Sequence, residues 1–138
     1  MIVTDVNVIV YFMLSAGDPP LSGLAKKVFA ANPAVIVPSL WRHEYLNVLA
    51  KYVRGRRLDL SAAESLWRAA LINFEPCERP LRQERVLEIV LEKDVAGFDA
   101  QYLALAEDFK AKVITEDKKL LKAAPEICLS MAEWLSKT

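Results

Sequence analysis

Apolar residues in this chain fall into short β-prone runs separated by longer stretches with helical periodicity. Ile2-Val3-Thr4 reads as a strand, and a helix from Asn7 to Leu14 follows it, with Asp5 at the junction. Gly17-Asp18-Pro19-Pro20 is a break, followed by a helix from about Leu21 to Ala30 and a strand over Ala34 to Val37. Ser39 is a candidate N-cap for a helix from Leu40 to about Val53, closed by Gly55. Ser61-Ala62-Ala63-Glu64 reads as a capping box opening a helix to about Asn73, and Phe74 to Cys77 as a short strand. Pro80 lies near the start of a helix reaching about Lys93, and another helix spans about Phe98 to Phe109. The end of the chain reads as a strand over Lys112 to Thr115, a short helix after Asp117, a strand at Ile127 to Leu129, and a terminal turn or helix from Met131 to Leu135.

Short apolar strands alternating with helices predict a parallel sheet covered on both faces. In such sheets, sites form beyond the C-terminal strand ends, where the strand order switches. Asp5 and Asp117 each lie just past such an end, and adjacent strands would join them across most of the chain.

Composition narrows the picture without naming a function. A chain of 138 residues, 54% hydrophobic and 26% charged, fits one ordered domain with a sizeable core. Eighteen basic residues balance eighteen acidic ones, which argues against a strongly basic nucleic-acid coat protein but leaves a nuclease open, because local charge decides where a phosphate backbone sits. Cys77 and Cys128 are too far apart for a redox or zinc motif and read as buried free thiols. The opening MIVTDVNVIVYFML carries Asp5 and Asn7 and no basic leader, so it reads as core rather than signal peptide or membrane span, and a cytoplasmic location is expected.

Four acids stand out against this pattern. Asp5 and Asp117 end apolar runs, Glu44 shares a helical stripe with Leu40 and Val48, and Asp99 shares one with Leu103 and Ala106, beside Phe98, Tyr102 and Leu105. Carboxylates are rarely buried unpaired, so a bound cation is the simplest compensating charge. Helix capping would account for Asp5, Asp99 or Asp117 singly, but not for Glu44. An oxygen-only donor set suits Mg2+ or Mn2+ rather than zinc. Thr4, Asn7 and Thr115 are expected to support the acids through hydrogen bonds. Glu116 is expected to point elsewhere, and the single histidine, His43, to sit at an edge or on the surface. Lys51, Arg54, Arg56 and Arg57, with Lys118, Lys119 and Lys122 near the last acid, form candidate phosphate-contacting rims, or else solvated helix ends. Trp41, Tyr45 and Tyr52 read as core or dimer surface.

The segments MIVTDVNVIV, VIVPSLWRHEYLNVLAKY, FDAQYLALAEDFKAKVITEDKKL and ICLSMAEWL together resemble the PIN-domain family, particularly the small toxin nucleases of VapBC-type toxin–antitoxin pairs. The resemblance covers nearly the whole chain, with the acids in the family's order. It implies a three-layer α/β/α sandwich with a central parallel sheet in strand order 3-2-1-4-5. It also implies a metal site at Asp5, Glu44, Asp99 and Asp117, with Thr115 as the hydroxyl residue beside the last acid. The implied activity is Mg2+- or Mn2+-dependent cleavage of RNA, with a small antitoxin partner and a homodimer. A noncatalytic RNA- or protein-binding module and a magnesium-dependent phosphatase remain alternatives, although no phosphate-cradling Gly-rich loop favours the latter.

Overall fold

The computed structural model describes residues 1–14 and 18–138. Its sheet consists of β1 (Ile2–Thr4), β2 (Val35–Ile36), β3 (Lys112–Ile114) and β4 (Cys128–Leu129), all parallel, in the spatial order β2-β1-β3-β4. Val3 stands opposite Ile36 and Val113, and Ile114 stands opposite Leu129. Parallel neighbours need crossovers, and helices supply them: α1 (Val6–Met13), α2 (Pro19–Ala30), α3 (Trp41–Arg54), α4 (Leu60–Phe74), α5 (Gln83–Lys93), α6 (Gly97–Phe109) and α7 (Lys118–Ala123), with α8 (Met131–Ser136) following the last strand.

Alternation along the strands divides the core into layers. Val3 and Val113 face α5 and α6, packing with Ile89, Leu103 and Leu105. Ile2 and Ile114 face the other way, against Val8 of α1, Ala25 and Val28 of α2, and Met131 of α8. Beside that second layer, α1, α3 and α4 pack Ile9, Trp41, Tyr45 and Phe74 into an aromatic cluster, with Trp41 stacked on Trp67 at 5.9 Å between ring centroids. The result is the expected α/β/α sandwich.

The expected five-stranded order 3-2-1-4-5 is wrong, because the sheet has four strands. Phe74 to Cys77 does not form a strand: α4 continues through Phe74, and a single 3-10 turn follows at Glu75–Cys77. Pro76 has no N–H to give a ladder and sits in the first two positions of that turn, where it is favoured. What remains beside β2 is one parallel bridge, Val37 to Glu78. Val37 N–H donates to the Cys77 carbonyl and Arg79 N–H donates to the Val37 carbonyl, both at 3.0 Å. Glu78 is held by side chains, accepting from Trp41 Nε1 at 2.7 Å and Arg42 Nε at 2.6 Å.

Two expected caps also differ. Asp59, not Ser61, caps α4, accepting from Ala62 N–H at 2.7 Å, so the helix starts earlier than the capping-box pattern implies. Ser39 does not cap α3; a turn precedes that helix, and its N-cap residue Leu40 makes no side-chain cap bond. Part of the break expected at Gly17 to Pro20 lies outside the described residues; within them, Asp18 caps α2, whose first two residues are Pro19 and Pro20. Cys128 is buried and Cys77 half-buried, and both are free thiols.

Candidate active site

The adjacency of β1 and β3 decides which residues meet. Thr4 stands opposite Ile114, so the residues that follow, Asp5 and Thr115, emerge together at the C-terminal edge of the sheet. Asp5 caps α1, its Oδ1 accepting from Val6 N–H at 2.7 Å. Its Oδ2 accepts from the Thr115 hydroxyl at 2.7 Å, across 110 residues of sequence, and from Asn7 Nδ2 at 3.3 Å. The same Thr115 oxygen accepts from Asn7 Nδ2 at 3.2 Å and from Asp117 N–H at 3.0 Å. One donor and two lone pairs exhaust what a hydroxyl offers, so Thr115 is fully engaged in holding the strand ends together. Asp117 caps α7, accepting from Lys119 and Leu120 N–H.

The other two acids approach from helices. Glu44 lies in the first turn of α3, half-buried, and its Oε1 accepts from the Tyr102 hydroxyl at 2.6 Å. Tyr102 is completely buried on α6, one turn beyond the half-buried Asp99. The phenol therefore ties α3 to α6 at the height of the two acids.

Electrostatics links all four acids. Burial raises Asp5 from 3.8 to about 7, and the charges of Glu44 and Asp99 add to the rise, against the lowering effect of its bonds from Thr115 and Val6. Glu44 is raised by burial and by Asp99, while the Tyr102 hydrogen bond opposes the shift. Asp99 is raised by burial and by Asp117, while Lys119 lowers it. Tyr102 is held well above its ordinary value, mainly by burial, so its hydroxyl stays protonated and donates a hydrogen bond to Glu44.

Among the described residues, no three His, Cys, Asp or Glu side chains close to a spacing that holds a metal ion. The chemistry of the donor set nonetheless fits a hard divalent cation. The groups coupled here are carboxylates that repel one another, and Asp5 Oδ1 and Glu44 Oε2 are not saturated by hydrogen bonds.

The supporting residues divide. Asn7 and Thr115 bond to Asp5 directly. Thr4 does not reach the acids: its hydroxyl is buried with no hydrogen-bond partner. Glu116 turns away, accepting from Met131 N–H at 2.9 Å. His43 is exposed. Of the basic candidates, Lys119 is close enough to lower Asp99, and Lys118 is exposed beside it. Lys51 and Arg54 are exposed on α3, with Arg54 about 15 Å along the helix axis from Glu44. Arg57 lies 5.5 Å over the Tyr52 ring, and Arg56 is exposed next to it. The arginine cluster thus borders the acids at a distance rather than touching them.

Sequence reasoning missed the hydroxyl of Tyr102, which it placed in an apolar stripe. A tyrosine rather than phenylalanine one turn after Asp99 was the available signal, since a buried phenol requires a partner. It also missed the separate position of Phe98, which is 61% exposed while Tyr102 and Leu105 of the same stripe are fully buried. Phe98 forms one wall of a cleft of about 370 Å3 lined by Val6, Leu40, His43, Glu44, Asn47 and Val48.

Fold and site together define a parallel-sheet α/β/α domain with coupled carboxylates at the C-terminal edge of its sheet. The PIN domain model matches residues 2–126, and the chain belongs to the PIN-domain family. It is 33% identical over 79 residues to the Exonuclease VapC9 of Pyrobaculum aerophilum, a match spanning 57% of this chain and 59% of that protein. The crystal structure of PAE2754 from Pyrobaculum aerophilum superposes with a TM-score of 0.76 at 20% identity, over 99% of this chain and 94% of the other. FitAcB from Neisseria gonorrhoeae gives 0.73 at 16% identity, over 96% and 99%. A toxin–antitoxin complex from Klebsiella pneumoniae gives 0.66 at 20% identity, over 95% and 98%. At these identities, the structural likenesses speak for the fold. Among the described residues, no helix is long and apolar enough to cross a membrane.

Proposed function

We propose that this protein is a Mg2+- or Mn2+-dependent endoribonuclease and the toxin of a toxin–antitoxin pair. The observation that carries this reading is the electrostatic coupling of Asp5, Glu44, Asp99 and Asp117 at one edge of the sheet, with Asp5 buried deeply enough to be raised to about 7. Asp5, Glu44 and Asp99 are gathered at a cost to their own ionisation, and that cost calls for a function. In this reading the four carboxylates hold the cation, Thr115 and Asn7 orient Asp5, and Tyr102 fixes Glu44. A divalent ion, when bound, supplies an acidified water and offsets charge on the phosphodiester. In this reading the exposed Lys118 and Lys119, the latter close enough to act on Asp99, are the first cations offered to a phosphate backbone, with the exposed Lys51 and Arg54 of α3 as further candidates.

The toxin assignment and a small antitoxin partner draw on the likeness to VapC9 and to the Klebsiella toxin–antitoxin complex. A homodimer belongs to the same reading and is checked by light scattering. The decisive assay is cleavage of RNA in Mg2+ or Mn2+ against EDTA, using wild type, Asp5→Asn and Asp99→Asn. Cleavage that requires the metal and disappears in both folded variants supports the proposal. Full activity in either variant, or turnover of phosphomonoesters without RNA cleavage, overturns it.

A further inference from the structure

The cleft beside Glu44 has a composition that the four-acid site does not explain. Its wall from α6 is Phe98, a large aromatic left 61% exposed immediately before Asp99. From α3 the cleft takes His43 and Asn47, both exposed and one turn apart, together with Glu44. Val6, Leu40 and Val48 complete an apolar lining. The cavity volume of about 370 Å3 falls within the roughly 300–1,000 Å3 range of small-ligand clefts.

The charge of this lining selects the chemistry of its occupant. Among the described residues that line the cleft, Glu44 is the only carboxylate and none is a lysine or arginine, so a phosphate group here would face an uncompensated anion. A neutral planar base meets no such penalty. It finds a ring face at Phe98, apolar side chains beneath it, and an edge partner in the Asn47 amide, which both donates and accepts, with the His43 imidazole alongside. Aromatic platforms of this kind bind unpaired bases with little dependence on backbone charge.

We propose that this cleft is a nucleobase subsite, with Phe98 as the stacking platform and Asn47 and His43 as the groups that meet the base edge. Because Glu44 belongs to both the cleft and the acidic site, the bound base is that of a nucleotide flanking the phosphodiester held at the acids. This inference rests on the ribonuclease reading above and extends it to which part of the strand is gripped.

The test uses the full chain, a fluorescein-labelled single-stranded oligoribonucleotide containing one cleavage site, and a matched strand with an abasic ribose next to that site. Wild type, Phe98→Ala, Phe98→Trp and the Asp5→Asn control are compared for KM and kcat, and for binding by fluorescence anisotropy in Mg2+. The expected result is that Phe98→Ala weakens binding and raises KM roughly 5- to 100-fold, the range of a lost stacking contact. Its kcat changes much less, and Phe98→Trp restores affinity. On the abasic strand, wild type and Phe98→Ala bind alike. Equal affinity of wild type and Phe98→Ala for the intact strand overturns the subsite. So does a loss that persists on the abasic strand, which would make Phe98 a backbone contact or part of a protein-binding surface. If the wild type cleaves no RNA, the ribonuclease reading falls and the anisotropy comparison alone decides the subsite. If cleavage is lost in Asp5→Asn but unaffected by Phe98→Ala, the subsite falls and the ribonuclease reading stands.

Discussion

Asp5→Asn should stabilise the protein at high pH and cease to do so at low pH. Asp5 is raised from 3.8 to about 7 on folding, chiefly by burial. Below pH 3.8 the carboxyl is neutral in both folded and unfolded chains, and its ionisation costs folding nothing. Between the two values the folded chain holds a proton that the unfolded chain releases, so stability falls as pH rises. Above pH 7 the full cost is present, about 4 kcal/mol from a shift of about three units at 1.36 kcal/mol each. Asparagine removes that cost and keeps a side-chain oxygen for the Val6 N–H. It also points an amide N–H₂ at the Thr115 hydroxyl, whose lone pairs already serve Asn7 and Asp117. Disrupting that arrangement costs roughly 1–3 kcal/mol. The net expectation in EDTA is a variant about 1–3 kcal/mol more stable than wild type at pH 8, and equal or less stable at pH 4. Urea denaturation across that pH range measures it. A difference between the two proteins that stays constant from pH 4 to pH 8 would refute the claim that burial holds Asp5 protonated.

Two further predictions concern single contacts. Tyr102→Phe removes the 2.6 Å bond to Glu44 while keeping the ring in the core, so the fold should survive and Mn2+ affinity should fall about tenfold, as read by calorimetry. Unchanged affinity would mean that the phenol does not position Glu44. Glu78→Ala strands the buried Trp41 Nε1 donor and should cost roughly 1–3 kcal/mol in urea denaturation, while Glu78→Gln should recover much of the loss by accepting the same hydrogen bond.

Much of this arrangement was legible in residue order because it depends on local rules. The alternation of Ile2 and Val3, and of Val113 and Ile114, announces strands buried on both faces, and acids placed after such strands mark the edge where a parallel sheet carries its site. Glu44 was visible as an acid on an apolar helical face. The failures arise where tertiary packing overrides a local signal. Phe74 and Cys77 look β-prone, but α4 runs on through Phe74, and Pro76 turns the chain before a ladder can form. Asp59 captures the α4 N-terminus two residues ahead of Ser61 because it bonds Ala62 N–H first. Thr4 has the alternation and chemistry of a supporting hydroxyl, yet its oxygen lies buried without a partner while Thr115, across β1 and β3, makes the contact. Tyr102 and Phe98 share one helical stripe and separate only in three dimensions, where one meets Glu44 and the other faces open space.

If Asp5, Glu44, Asp99 and Asp117 act as one cation-dependent site, each of them should contribute to the affinity for a divalent ion. Titrating Mn2+ into wild type and into Asp5→Asn, Glu44→Gln, Asp99→Asn and Asp117→Asn, with binding read by calorimetry and folding by circular dichroism, tests it most directly. Saturable binding to wild type and a marked loss of affinity in each folded variant are expected. Absence of binding to wild type, or affinity indifferent to all four substitutions, would contradict it.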